Sequence, residues 1–197
     1  MMKLKQILPK DILGDDAFLA VRQNKRQEMI SLKKDRRVAL GDFIMLHFEN
    51  FTTLWWQVQE MLRIEKGGAA QIQDELAAYN PLVPQGHELV ATLMIEIDDP
   101  VIRRKTLQEL THIERCIALR FGEHRIIATA EEEDTARTSE SGKTSAVHFL
   151  RWTFSEAQIA DFTKPQTDVI VEVVHPAYTS KTLLAESTRQ ALSSDLT

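Results

Sequence analysis

The sequence predicts an α+β fold, in which a mostly antiparallel, twisted sheet of about five or six strands is packed by helices and a long helix lies near the N-terminus. Two observations predict this class. Segments with helical periodicity and segments with strand alternation both occur, but not in the regular strand–helix–strand order of a parallel sheet. In addition, two short apolar runs flank a turn at Gly122 and Glu123, which is typical of an antiparallel hairpin.

In the N-terminal half, helix starts and stops are marked by local residues. Gly14, followed by two aspartates, marks the start of a long amphipathic helix, and Asn50 is a predicted N-cap. Gly67 and Gly68 mark a helix end. From these signals we predict helices over residues 15–36, 51–66 and 69–78, and a strand over residues 43–49.

In the C-terminal half, the segment ELVATLMIEI alternates over residues 88–97 and is the clearest strand. Asp98, Asp99 and Pro100 mark the next helix start. Residues 131–144 are acidic and then rich in Ser, Thr and Gly, which predicts a mobile surface loop. We predict further strands over residues 115–121, 125–130, 146–154 and 168–174, and helices over residues 100–111, 155–162 and 179–192.

The composition is that of a globular protein: 43% of the 197 residues are hydrophobic and 27% are charged. This amount of apolar sequence predicts a single domain over residues 1–197. Apolar runs are far shorter than the roughly 20 residues that span a bilayer, and Pro9 interrupts any signal-peptide core, so we expect a cytoplasmic protein. A net charge of −5 argues against non-specific nucleic-acid binding, and the single cysteine, Cys116, is expected to fill a core position.

The sequence contains no Walker A loop and no GxGxxG, GxSxG, HExxH or CxxC motif. Whether the protein is an enzyme is therefore left open by its motifs. One candidate site consists of His148 and His175, which would approach each other if their strands pair. With a carboxylate from Glu49, Glu60 or Glu88 they would form a site for a divalent transition metal. The alternative is that each histidine is a core residue with a satisfied hydrogen bond.

The second candidate site is a basic and polar surface. The long N-terminal helix carries Arg22, Arg26, Lys33 and Lys34, followed by Arg36 and Arg37. These cations can form a solvated face favoured by the helix macrodipole, or a surface for an anion or an acidic partner. On the next helix, Trp56 beside Arg63 either contributes to a protein interface or packs under a neighbouring segment. The residues of this candidate partner or anion site are Arg36, Arg37, Asn50, Trp56, Gln57 and Arg63.

Several stretches of the chain, taken together, resemble a bacterial family of roughly 200-residue cytosolic proteins known as a domain of unknown function. They are RRVALG (36–41), FENFTTLWWQVQEMLRIE (48–65), ELAAYNPLVPQGHELVATLMIEIDDP (75–100), SAVHFLRW (145–152) and HPAY (175–178). The resemblance implies proximity to rubrerythrin-like proteins and to iron–sulfur oxidoreductases of the heterodisulfide-reductase type, which are often encoded beside such proteins. The family-like polar positions are Glu49, Asn50, Gln57, Glu60, Arg63, Glu65, Asn80, Glu88, His148 and His175.

Three functional hypotheses follow. The first is an accessory protein that docks onto a redox partner through residues 51–66 and the basic strip at residues 22–37. The second is a small metal-dependent enzyme that uses the two histidines and a carboxylate, and the third is an anion or nucleotide binder that uses Arg36, Arg37 and Arg63. The sequence leaves homo-oligomerisation open.

Overall fold

The computed structural model describes residues 5–130 and 143–196. Their contacts fall into two compact units, each made of two stretches of chain. Unit 1 comprises Met1–Asp35 and Glu49–Gln85, and unit 2 comprises Arg36–Phe48 and Gly86–Thr197. That the whole chain is a single domain stays a prediction. Most of the predicted loop at 131–144 lies outside the described residues.

Unit 1 is helical, with α1 (Asp15–Lys34), α2 (Phe51–Glu65) and α3 (Gly68–Tyr79). The predicted N-cap is confirmed, because the Asn50 side chain accepts a hydrogen bond from the Thr53 backbone N–H at 3.0 Å. The three helices and their bounds agree closely with the sequence prediction. This agreement reflects signals that are local, namely caps, glycines and apolar periodicity.

The N-terminal arm of unit 1, residues 5–14, is held by side-chain amides. The Gln59 amide accepts from the Leu13 N–H at 2.6 Å and donates to the Leu13 carbonyl, and Asn80 and Gln85 make the same paired contacts with Ile7 and Lys5. Each amide thereby satisfies one backbone donor and one backbone acceptor, as a neighbouring strand would.

Unit 2 contains the described strands, except for Glu49, the last residue of β2, which falls in unit 1. In chain order they are β1 (Arg37–Leu40), β2 (Ile44–Glu49), β3 (Glu88–Ile95), β4 (Ile117–Phe121), β5 (His124–Ile127), β6 (Thr129–Ala130), β7 (Val147–Thr153), β8 (Val169–His175) and β9 (Tyr178–Leu183). They form two antiparallel sheets with the orders β1-β2-β3-β7-β6 and β5-β4-β8-β9. The helices of this unit are α4 (Pro100–Glu109), α5 (Glu156–Thr163) and α6 (Glu186–Ser193).

The inward faces of both sheets share one hydrophobic core, to which α4, α5 and α6 add apolar side chains. Phe48 and Trp152, from the five-stranded sheet, lie with ring centroids 5.6 Å apart. The edge strands β1 and β9 also meet, since the Thr182 hydroxyl donates to the Ala39 carbonyl at 2.6 Å. Where these edges meet, each covers backbone groups that an open sheet would present to solvent.

The predicted α+β class with antiparallel strands is confirmed, and the long N-terminal helix is present. The structure differs from the prediction in several respects. The described residues form nine strands in two sheets, instead of about five or six strands in one sheet. The strand predicted over residues 125–130 is divided between β5 and β6, which belong to different sheets. β1 lies where a connection was expected, and residues 178–183 form β9 although a helix was predicted from residue 179. The polar segment YTSKTL pairs along its length with β8 and alternates between half-buried and exposed side chains, so tertiary pairing overrides its weak local signal.

None of the helices among the described residues is long and apolar enough to cross a membrane.

Candidate protein-binding surface

The two histidines of the predicted metal site lie in different sheets, His148 in β7 and His175 in β8, and these strands do not pair. The Nε2 atom of His148 is 2.9 Å from the Ser145 carbonyl oxygen and 3.0 Å from the Thr144 hydroxyl. In His175, Nδ1 accepts from the Ala177 N–H at 3.1 Å, which leaves Nε2 to donate to the Thr111 carbonyl at 3.0 Å. Both imidazoles therefore make hydrogen bonds within unit 2.

The three carboxylates of the predicted metal site also have separate partners. Glu49 accepts from the Thr53 hydroxyl at 2.6 Å, and Glu88 accepts from Arg151 Nη1 at 2.7 Å. Glu60 bonds to Arg22 and Arg63. Across residues 5–130 and 143–196, no group of three or more His, Cys, Asp or Glu is placed to hold a metal ion. The described geometry therefore lends the metal hypothesis no support.

Glu60 is the centre of an ion-pair network that fastens α1 to α2. Its Oε1 accepts from Arg22 Nε at 2.7 Å, and its Oε2 accepts from Arg63 Nη2 at 2.9 Å. Partial burial raises the pKa of the Glu60 carboxyl, but the hydrogen bonds from Arg22 and Arg63 outweigh this effect, so the net pKa is lowered. A carboxylate held in this way is ionised and already neutralised by two guanidinium groups.

The residues predicted to bind a partner or an anion make contacts within the chain. Arg36 is 3% exposed and makes a two-point contact with the Asp195 carboxylate, at 2.7 Å and 2.9 Å. Arg37 donates to His47 Nδ1 at 3.3 Å. The remaining contacts are those of Arg63 with Glu60, Asn50 with the start of α2, Gln57 with the Tyr79 hydroxyl, and Trp56 with the Phe18 ring.

Cys116 is half-buried and lies just before β4. Burial raises the pKa of its thiol, and the nearby Glu114 carboxylate raises it further. A raised pKa keeps the sulfur protonated at neutral pH, whereas a reactive cysteine requires the thiolate. The surroundings of this thiol are therefore those of a structural residue.

In the basic strip on α1, Arg26 and Lys34 are exposed and Arg22 and Lys33 are half-buried, and exposed apolar residues that the sequence prediction did not include lie among them. Leu19 and Ile30 are 56% and 57% exposed. They lie eleven residues apart, which is about three helical turns, so both side chains lie on one face of α1. We call this face the α1 strip: Leu19, Gln23, Arg26, Ile30, Lys33 and Lys34.

The structure confirms the predicted apolar face of this amphipathic helix only in part. The sequence predicts that the face is formed by Phe18, Val21, Met29 and Leu32. Phe18 and Met29 are buried, but Val21 is 36% exposed. The eleven-residue spacing of Leu19 and Ile30 would have revealed the second apolar face. Favourable interaction with the macrodipole accounts for the two lysines in the last turn, but it does not account for exposed aliphatic side chains between cations.

The protein thus has an α+β fold, and most of the side chains predicted to bind a metal, an anion or a partner form hydrogen bonds or ion pairs within the chain. The family model described as "Protein of unknown function (DUF3501)" matches residues 6–196, and the chain belongs to this family. Among solved structures, it is similar to a novel protein of unknown function from Burkholderia pseudomallei, with 35% identity and a TM-score of 0.88, over 98% of this chain and 100% of the other. A comparison with curated proteins finds no match.

Proposed function

We propose that the protein is an accessory protein whose α1 strip docks onto an acidic surface of a protein partner. The observation that carries the proposal is the exposure of Leu19 and Ile30 on the face of α1 that also bears Arg26, Lys33 and Lys34. Aliphatic side chains surrounded by cations favour a partner with apolar and acidic groups in the complementary arrangement. The partner class that the resemblance implies is a redox protein, either an iron–sulfur oxidoreductase or a rubrerythrin-like protein.

The contacts of α1 with α2 support a docking role for the α1 strip, because they hold the helix in place through side chains that lie outside the strip. Phe18 packs against Trp55 and Trp56 at ring-centroid distances of 6.3 Å and 5.6 Å, and Arg22 pairs with Glu60. A rigid helix loses little conformational entropy when its exposed face is covered. The α1 strip is thus a preorganised surface.

Residues 51–66, the other predicted contact segment, support docking less well. Thr53, Leu54, Val58 and Gln59 of α2 are buried. Several of its polar side chains bond within unit 1, as described above. Its exposed large apolar residues, Phe51 at 38% and Ile64 at 62%, lie on different sides of α2 and do not form one apolar face, so the α1 strip is the better candidate surface.

The proposal is tested by measuring binding of the full chain to purified iron–sulfur and rubrerythrin-like proteins encoded beside members of the family. We expect Arg26→Glu with Lys33→Glu to weaken binding by about tenfold or more, because charge reversal opposes an acidic partner. Raising the salt concentration should weaken binding by the wild type. The control is Arg104→Glu, a single charge reversal at an exposed position of α4.

Loss of affinity in the α1 double variant but not in Arg104→Glu supports the proposal. The proposal is wrong if none of these redox proteins binds, or if the double variant binds as tightly as the wild type.

A further inference from the structure

The four-stranded sheet of unit 2 has one face in the core and one face outward. Along β8, Val169, Val171 and Val173 are at most 1% exposed and belong to the core. Val174 lies on the opposite face and is 56% exposed. Because paired residues of antiparallel strands point to the same side, the register of β5, β4, β8 and β9 identifies the remaining members of the outward face.

We call this surface the outer sheet face. Its large side chains are Arg120, Arg125, Ile127, Ile170, Glu172, Val174, Lys181 and Leu183. Ile127, Val174 and Leu183 are 51%, 56% and 57% exposed. These three residues come from three different strands and surround Glu172, so they form one exposed apolar surface.

The charged residues at the centre of the outer sheet face form a fixed group. Glu172 accepts from Arg125 Nε at 2.8 Å and from Arg120 Nη1 at 3.4 Å, and Lys181 lies opposite Glu172 across β8 and β9. Partial burial raises the pKa of the Glu172 carboxyl, but the hydrogen bonds from Arg125 and Arg120 outweigh this effect, so the net pKa is lowered. Glu172 is therefore ionised at neutral pH.

Glu172 neutralises only part of the positive charge around it. Arg120, Arg125 and Lys181 carry three positive charges against its one negative charge, whereas the chain as a whole has a net charge of −5. The side chains of Arg120 and Arg125 are 54% and 45% exposed. A guanidinium group has five N–H donors, so each arginine retains donors for a second carboxylate after bonding to Glu172.

We propose that the outer sheet face is a docking site for an acidic amphipathic helix of a partner protein. Four strands span about 15 Å, which accommodates one helix of about 10–12 Å diameter. The aliphatic side chains would contact the apolar stripe of the helix, and the arginines would bond to its carboxylates. Two copies of this chain would instead bring together two faces with an excess of positive charge, so the charges favour an acidic partner over self-association.

This proposal does not depend on the α1 strip, which lies in the other unit. The test is NMR titration of the ¹⁵N-labelled full chain with a synthetic 14-residue helical peptide that carries Leu on one face and Glu elsewhere. We expect amide shifts to change at Arg120, Glu172, Val174 and Leu183, and to change less at high salt. A peptide with the same pattern but Lys in place of Glu should leave these shifts unchanged.

Two variants localise the interaction. Leu183→Ser on the outer sheet face should weaken peptide binding by about tenfold, since it removes a large apolar contact. Ile102→Ser makes the same kind of change at a 58% exposed aliphatic residue of α4 and should leave the affinity unchanged. Both positions are exposed, so both variants are expected to fold.

Shifts confined to the four named residues and their neighbours, together with the selective effect of Leu183→Ser, support the proposal. The proposal is overturned by the absence of shift changes at millimolar peptide, by changes located on α1, by equal binding of the lysine peptide, or by equal effects of the two variants.

Discussion

Glu60 shows how a residue with the chemistry of a metal ligand can instead hold two helices together. Its carboxylate bonds to one arginine on α1 and to one on its own helix, and its side chain is 18% exposed. Because the charge is already paired at short range, a metal ion would have to displace guanidinium groups to bind it. The ion pairs of Glu60 therefore connect α1 to α2.

We expect Glu60→Gln to lower the free energy of unfolding by roughly 1–2 kcal/mol, since charged hydrogen bonds at a partly buried position are lost. The matched control is Glu28→Gln, which breaks the exposed Lys25–Glu28 pair on α1 and should change stability by no more than about 0.5 kcal/mol. Urea unfolding measures both changes. Equal effects of the two substitutions would contradict the structural role of Glu60.

Glu186 offers a test by pH at the start of α6. Hydrogen bonds from Arg189, and then from Gln190, lower the pKa of its carboxyl to about 2. The hydrogen bonds to the ionised carboxylate stabilise the folded state, and this stabilisation is fully present above the pKa of Glu186 in the unfolded chain, about 4.3. It is lost as the pH falls from there through 2. Wild type and Glu186→Gln should therefore differ in stability at pH 6 and become similar near pH 2.

Carbon-13 NMR of the Glu186 carboxyl checks the pKa directly. Gln190→Ala removes one of the two donors, so we expect the pKa to rise toward its ordinary value. An ordinary pKa in the wild-type protein, or no rise in the variant, would show that these hydrogen bonds do not form in solution.

At the scale of secondary structure, the turn between β1 and β2 places a strict demand on one residue. Gly41 has φ = +76°, and a Cβ atom at this position would collide with the Tyr178 hydroxyl, which bonds to the Leu40 carbonyl and the Asp42 N–H. Two independent constraints, backbone conformation and space, therefore require glycine. Through these two hydrogen bonds, the Tyr178 side chain connects β9 with the end of β1.

We expect Gly41→Ala to lower the free energy of unfolding by roughly 2–4 kcal/mol, with contributions from left-handed backbone strain and from the displaced Tyr178 hydroxyl. Gly122→Ala separates the two contributions, because Gly122 also has a positive φ, of 49°, but a Cβ atom there meets nothing within 4 Å. Its cost should be about 1 kcal/mol. Thermal or urea unfolding that gives the same loss for both variants would exclude the collision.

The same scale shows what the sequence could predict. Helix starts at Asn50 and Asp99 are confirmed, because each side chain bonds to backbone N–H groups within its own first turn. The strand at residues 178–183 was predicted as helix, because its pairing with β8 is tertiary and its apolar content is low. Helix caps depend on a few neighbouring residues and can be predicted from one sequence, whereas the pairing of distant strands cannot.

The candidate sites follow the same rule. The approach of His148 to His175 depended on the pairing of β7 with β8, which belong to different sheets. The outer sheet face was not found from sequence because its residues come from four strands. Only their register brings Arg120 and Glu172, which are 52 residues apart, into contact. The basic residues of α1 were found because one helix carries them all.

At the scale of the molecule, the contact between Arg36 and Asp195 joins two positions 159 residues apart and closes unit 2. Arg36 also donates to the Ala191 carbonyl at 3.1 Å, near the end of α6. The guanidinium group is buried, so removal of either partner leaves the other charge without compensation.

We expect Arg36→Met to lower the free energy of unfolding by about 3 kcal/mol, because it leaves the Asp195 carboxylate, whose side chain is only 10% exposed, without its charge partner. The neighbouring Arg37→Met is the control. Arg37 is exposed, so its change should be within about 0.5 kcal/mol. Addition of Asp195→Asn to Arg36→Met should cost less than the sum of the separate effects. Additive losses in urea unfolding would show that the two residues do not interact.

The division of the chain has a consequence for biosynthesis. Synthesis of unit 1 is complete at residue 85, whereas the β1–β2 hairpin, which belongs to unit 2 up to Phe48, is synthesised between the two stretches of unit 1. The hairpin must therefore wait for β3 and the later strands before its apolar face can be covered. Neither unit corresponds to one uninterrupted piece of the gene, so expressing either alone requires a new peptide connection where the intervening stretch is removed.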